Sequence, residues 1–243
     1  MSVYTEYSAT ALNNEPSILI VPKFVRPGAT GIVYCHGYGE DALEPRDLTS
    51  TRINMFNLVQ ALAEAGFPVI SCFNAGNQWG NATAVARVTS AAAYLASRVG
   101  ASSTRVGLMG QSMGHLAVMN WAAQNRAKAA FVLSSMGVAD LNDIHNNSSY
   151  AASINSAYGG SYTDAAQGAT YNPTVNAASK FAGLPWMCWG GSSDTVCPPA
   201  KTTALKNAIG PTASYTQVSG GHAFATVGNY DTAQIVAFAQ AHA

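Results

Sequence analysis

Short apolar runs alternate along the chain with longer amphipathic stretches, the pattern of strands joined by helical crossovers in a mostly parallel sheet. Residues 3–9 and 17–23 predict an opening antiparallel hairpin, and Gly31-Ile32-Val33-Tyr34-Cys35-His36 predicts the first parallel strand. Across residues 52–65 the spacing of Met55, Leu58, Val59 and Leu62 is helical, with Ser50 or Thr51 as N-cap and Gly66 as the stop. Residues 68–73 return as strand. Val85, Val88, Ala92, Leu95 and Val99 then mark one face of a second helix that closes at Gly100. A strand at 106–109, a turn, a helix to residue 127 and a strand at 129–134 follow. Further strands are expected at 184–189 and 214–218, and a last helix over 231–242.

Residues 137–183 break this rhythm. The segment is rich in Ser, Asn, Ala, Gly and Tyr, as in Asn146-Asn147-Ser148-Ser149-Tyr150 and Tyr158-Gly159-Gly160-Ser161-Tyr162. Structureless loops beyond about 15 residues are uncommon in compact domains. The segment therefore reads as a cap of short helices and mobile loops inside one domain spanning 1–243. Its polar composition implies that it buries little apolar area, so a short Gly-Ser linker in place of about residues 143–178 should leave the core folded.

Composition narrows the function classes. Twelve basic and twelve acidic side chains cancel, and only 10% of residues are charged. No basic surface points to nucleic acid and no acidic tail to a basic partner. No run is long and apolar enough for a membrane span. Residues 1–15 have neither the basic region nor the apolar core of a signal peptide, so the default expectation is a cytoplasmic protein, with extracellular or virion-associated locations left open. Four cysteines, Cys35, Cys72, Cys188 and Cys197, match no metal or dense disulfide spacing. Free thiols in buried strands are the simpler reading, and a Cys188–Cys197 disulfide stiffening the loop between them is the alternative.

The chemistry centres on Gly110-Gln111-Ser112-Met113-Gly114, which lies between the strand at 106–109 and the following helix. A chain that turns that sharply holds its turn serine in a strained conformation at the sheet's carboxyl edge. Asp194 follows the apolar run Leu184-Pro185-Trp186-Met187-Cys188-Trp189, and His222, in Ser219-Gly220-Gly221-His222, follows the strand at 214–218. A serine hydroxyl needs a base to become a nucleophile, and that base needs a group to fix its tautomer; Ser112, His222 and Asp194 supply these three types.

The order Ser, Asp, His, each at a strand's carboxyl end, resembles the α/β-hydrolase superfamily, as does the Cys35-His36-Gly37-Tyr38 segment after the first parallel strand. The resemblance spans residues 31 to 222. It implies an α/β fold with helices on both faces of the sheet, and a serine esterase or lipase-like hydrolase without metal or organic cofactor. It also implies an oxyanion hole built from the N–H groups of Met113 and Tyr38. Asp140 is the rival acid, because some relatives carry the acid after the earlier strand. The sequence Asp194-Thr195-Val196-Cys197-Pro198 is the one that resembles the usual acid loop.

Trp79, Met136 and Phe224 are expected to contact substrate, with Tyr38 and Met113 as further walls suited to an uncharged or apolar acyl group. For Trp79, a purely structural place beside an Asn-capped helix is an equal alternative. His36 is read as ordering the oxyanion loop, and His145 and His242 as solvated. His115, where many relatives have a small residue, tilts its helix or bonds a neighbouring loop. The substrate class is a small-molecule, lipid-linked or polysaccharide-linked ester. A cell-wall or lipid esterase of the phage lysin type, a thioesterase, a peptidase and a non-catalytic binding module on the same fold are the alternatives.

Overall fold

The computed structural model describes residues 3–243, which build one eight-stranded sheet in the order β1-β2-β4-β3-β5-β6-β7-β8. Strands β1 (Val3–Leu12) and β2 (Glu15–Pro22) form the expected hairpin, turning at Asn13 and Asn14, both with positive φ. Strand β2 also runs antiparallel to β4 (Val69–Cys72). The remainder is parallel: β3 (Gly31–Cys35) between β4 and β5 (Val106–Gln111), then β6 (Ala129–Ser135), β7 (Trp186–Gly191) and β8 (Ala213–Val218). Strands β3 to β7 are buried throughout, which is why they read as continuous apolar runs rather than alternating ones.

Period-two alternation within each strand feeds two cores. Val33 and Cys35 of β3 pack on one face with Val85, Val88, Ala91 and Leu95 of α2 (Ala82–Val99). Helices α3 (Gly114–Gln124) and α8 (Pro199–Ile209) join them there. Ile32 and Tyr34 face the opposite side, toward α1 (Ile53–Glu64) and α10 (Thr232–His242). Asn81 caps α2 by accepting from the Ala84 N–H at 3.1 Å, and Gly100 ends it in the left-handed conformation. The start of α1 differs from expectation. A 3-10 turn at Ser50–Arg52 leads directly into it, so its first residue follows Arg52 and no side chain caps it.

Residues 137–183 fold into α4 (Leu141–Asn147), α5 (Ala151–Ala157), a π-helical turn (Asp164–Gly168), α6 (Ala169–Tyr171) and α7 (Ala177–Lys180). The expectation of little buried apolar area fails here. Leu141, Ile144, Ile154 and Tyr162 form a third core with Trp79, Met113, Leu116 and Cys197, and Phe181 and Leu184 enter the core beneath α8. Val138, Leu141, Ile144, Ile154, Tyr162 and Phe181 are all buried, so a composition dominated by Ser, Asn and Ala understated what the segment's large apolar side chains bury. Between the remaining helices, α9 (Phe224–Val227) directly follows the loop that carries His222.

The segment's anchorage is measurable. Ile154 is fully buried, and Ile154→Ala should cost about 2–5 kcal/mol in urea unfolding, the range for a core aliphatic truncated to alanine. A loss below about 0.5 kcal/mol, the level of surface substitutions, would mean that the segment rests only loosely on the sheet.

Candidate active site

Ser112 follows β5 with φ +48°, a left-handed conformation costly for a serine. Backbone hydrogen bonds pin it there: its N–H donates to Ser135 O at 2.9 Å, and its C=O accepts from the N–H groups of His115 and Val138 at 3.1 Å each. The flanking glycines are required by contact. A Cβ on Gly114 would stand 2.1 Å from the carbonyl oxygen of Cys35, and one on Gly110 would stand 2.6 Å from the backbone of His115. Helix α3 thus starts directly against the end of β3, and the serine is presented over the sheet's carboxyl edge.

The three residues read from the sequence meet. Ser112 Oγ lies 2.8 Å from His222 Nε2, and His222 Nδ1 lies 2.8 Å from Asp194 Oδ2. An ionised carboxylate only accepts, so Nδ1 carries the proton and Nε2 is left to accept from the Ser112 hydroxyl. The other oxygen of Asp194 accepts from the N–H groups of Val196 (2.9 Å) and Cys197 (2.7 Å), which fixes the carboxylate's plane. Asp140, the rival acid, is the N-cap of α4. It accepts from the N–H groups of Asn142 and Asp143 and from the Asn172 amide, and lies 3.6 Å from the Lys201 ammonium.

The N–H groups of Met113 and Tyr38 donate to no protein acceptor among the described residues. The loop that carries Tyr38 is held from behind by Glu44, in a 3-10 turn at Glu44–Arg46. Glu44 Oε2 accepts from the Gly37 N–H at 2.9 Å, and Oε1 from the Tyr34 hydroxyl. Burial pushes the Glu44 carboxyl up to about 8, against the opposing pull of those two hydrogen bonds. His36 braces the same loop, as expected, with Nδ1 2.7 Å from Gly37 O and Nε2 2.6 Å from Phe73 O.

A cleft of about 170 Å³ opens beside Ser112 and His222, walled by Tyr38, Glu40, Tyr150 and Phe224, with Gln111 in its floor. Phe224 lines the cleft. Its carbonyl accepts from the Asn54 amide at 3.2 Å, and Arg52 lies over its ring at 5.4 Å. Met136 does not line the cleft as expected, and Trp79 takes the structural one of its two readings. Trp79 is 1% exposed, donates from Nε1 to Ser153 Oγ at 2.9 Å, and packs behind Tyr38 and Tyr150 at ring separations of 5.5 and 5.3 Å. It is a support for the wall, held by its own positive φ and the Asn-capped helix that follows. Met136 is 2% exposed and packs with Met187, Trp189 and Tyr230 beneath the sheet's edge. Met113 is likewise buried.

Glu40 and Tyr150 carried no sequence signal, because loops distant in the chain bring them to the cleft. Gln111 lay within the serine motif and could have been found there. Burial raises the Glu40 carboxyl from its ordinary range, opposed by Arg52. His115 bonds a neighbouring loop, Nδ1 to Val138 O at 2.9 Å, and stacks on Trp186; burial lowers it to about 4. His145 and His242, expected to be solvated, are half-buried, His145 between the side chains of Asn146 and Asn155 and His242 against Phe238. All four cysteines are buried free thiols. Cys197 lies within 4.8 Å of the ligand-type atoms of Asp194 and His222, but those two are already bonded to each other. Burial, then the charge of Asp194, raises its thiol well above the usual range.

The fold and this site define a serine hydrolase of the α/β-hydrolase superfamily, with a mostly parallel sheet as expected. The sequence profile of the prolyl oligopeptidase family matches residues 74–243, and the chain belongs to that family. No curated protein sequence matches the chain. Among solved structures it is similar to the fluorophosphonate-binding serine hydrolase FphF of Staphylococcus aureus, at 13% identity and TM-score 0.76 over 98% of both chains. It is similar also to the S-formylglutathione hydrolase FrmB of Staphylococcus aureus, at 12% identity and TM-score 0.73 over 98% of both chains. A truncated carbohydrate esterase from gut microbiota shares 15% identity and TM-score 0.70, over 100% of this chain and 96% of that one. No helix among the described residues is long and apolar enough to cross a membrane.

The buried Glu44 sets a pH dependence. Its folded pKa lies above the ordinary value of 4.5, so between those two values the folded protein holds a proton that the unfolded chain has lost. Stability from this group is therefore fully present below about pH 4.5 and declines as pH rises through about 8. Glu44→Gln keeps the shape without the ionisation. Its urea midpoint should fall less than that of wild type between pH 5 and pH 8. Parallel profiles for the two proteins would show that Glu44 ionises freely in the fold.

Proposed function

We propose that the protein hydrolyses carboxylic esters with short acyl groups through an acyl-enzyme on Ser112. The observation that carries this reading is the continuous hydrogen-bond chain Ser112–His222–Asp194, presented on a positive-φ elbow beside two unspent backbone N–H groups. Ser112 Oγ attacks the ester carbonyl while His222 Nε2 takes its proton. Asp194 stabilises the resulting imidazolium without accepting that proton. The N–H groups of Met113 and Tyr38 receive the negative oxygen, a contribution of about 3–4 kcal/mol per donor in comparable sites. His222 returns the proton to the leaving alcohol, and a water molecule repeats the sequence to release the acid. No metal or organic cofactor has a role in these steps.

A cleft of about 170 Å³ is small against the 300–1,000 Å³ of most ligand pockets, which favours a short acyl chain over a lipid one. Residues 137–183 act as the cap of a single hydrolase domain, since Tyr150 supplies one wall of the cleft. Similarity to a carbohydrate esterase and to a ferulic acid esterase supports an ester substrate. The family match supports a second reading, a peptidase using the same residues.

A fluorophosphonate probe should label Ser112 in folded protein, and peptide mass mapping decides it. Failure to label would favour a non-catalytic role for the fold. Asp194→Asn should lower kcat by about 10⁴-fold, since an amide there favours the wrong imidazole tautomer. Asp140→Asn should leave kcat close to wild type and lower only stability. Hydrolysis of p-nitrophenyl acetate without hydrolysis of prolyl p-nitroanilides is expected; the reverse would establish the peptidase reading.

A further inference from the structure

Glu40 stands where two spaces meet. It forms part of the cleft beside Ser112, and it also borders a second, larger hollow of about 530 Å³ lined with Asp41, Leu43, Asp47, Leu48 and Arg52. Glu40 is the one residue common to the two linings. Its side chain is held in place: Oε1 accepts from Arg52 Nη2 at 2.6 Å, and Arg52 is fixed in turn by Asp47 at 2.9 Å and by the Phe224 ring. The second oxygen, Oε2, has no protein donor among the described residues.

The charges of the hollow select by chemistry. Arg52 is shared between Glu40 and Asp47, and the exposed charges that also line the hollow, Arg46 and Asp41, are one of each sign, so the hollow favours neither an anion nor a cation strongly. Glu40, in turn, is paired, which leaves little field for a cation. What the pair retains is hydrogen-bonding capacity in fixed directions without much net charge. Leu43 and Leu48 are exposed in the hollow itself, and in the cleft on the other side of Glu40 stand Tyr38, 40% exposed, and Phe224, whose ring has Arg52 over it. Hydrogen-bond groups next to ring faces fit a ligand that has hydroxyls on its edge and C–H groups on its face.

We propose that this hollow is the subsite for the alcohol portion of the substrate, and that this alcohol is an uncharged, hydroxyl-rich group of the saccharide type, bonded by Glu40. The proposal rests on the ester-hydrolase reading above, which supplies the leaving alcohol. Glu40 is a specificity residue in it, acting on the alcohol and not on the reacting atoms.

The test compares kcat/KM for an acetylated methyl glucoside, cyclohexyl acetate and acetylcholine, in wild type, Glu40→Ala and Glu40→Gln. Wild type should prefer the glucoside ester over cyclohexyl acetate, and Glu40→Ala should lower that ratio by about 10- to 100-fold, the size of a hydrogen bond to a charged group. Glu40→Gln should give a ratio between those of wild type and Glu40→Ala, because an amide still bonds hydroxyls but without the charge. In wild type, methyl glucoside should also slow fluorophosphonate labelling of Ser112 more than cyclohexanol does, a readout that needs no variant. A glucoside ratio near one, or one unchanged in Glu40→Ala, overturns the subsite while leaving the hydrolase reading intact if Ser112 labels. A preference for acetylcholine that both variants lose would replace the saccharide with a cation. Wild-type protein that neither labels nor cleaves any ester sinks the hydrolase reading and the subsite together.

Discussion

The approach of α3 to the end of β3 is the constraint on which the site depends. Gly114 brings the helix start against the Cys35 carbonyl, at a distance that admits no side chain. That contact forces the chain to reverse within a residue or two of β5, and the reversal is what leaves Ser112 at positive φ. Strain of this kind costs on the order of 1–3 kcal/mol and persists only where surrounding bonds over-determine it. Here the bonds from Ser135, His115 and Val138 do so. The same closeness sets the N–H of Met113 beside the loop carrying Tyr38, so that the strained serine and these two N–H groups share one origin.

Much of this was legible in the chain because it is encoded locally. A strand, a small-residue turn and a helix are adjacent in sequence, and the acid and base each follow their own apolar run. Asp194 was separable from Asp140 only by resemblance; the structure separates them by partners, since one carboxylate meets an imidazole and the other closes the first turn of α4. The walls of the cleft were the least legible. Tyr150 and Glu40 approach Ser112 from segments far away in sequence, and no periodicity marks either. For Trp79 the sequence left substrate contact and a structural place equally open, and the turn at Trp79 directs the indole inward to Ser153.

Residues 137–183 show how composition misleads about burial. A Ser- and Asn-rich segment has few apolar residues, but Ile144, Ile154 and Tyr162 are each turned inward and share a core with Met113 and Leu116. Its polar residues are occupied in local bonds, among them the Asn172 amide, which bridges Asp140 and Asp164. The segment is consequently tied to the helix that begins at the nucleophile, and a change in its packing would be felt at the elbow.

His222 follows β8, the last strand of the sheet, and its partners lie 28 and 110 positions earlier. Bonds of such separation form late, because the loops between them must be closed before the contacts can repay the entropy. A refolding chain would regain its helices, and with them most of its far-ultraviolet signal, while Ser112 was still an ordinary alcohol. Reactivity of this one hydroxyl is therefore a clock for the docking of the sheet's far edge, reporting the final register of β7 and β8 more sharply than any average over the backbone.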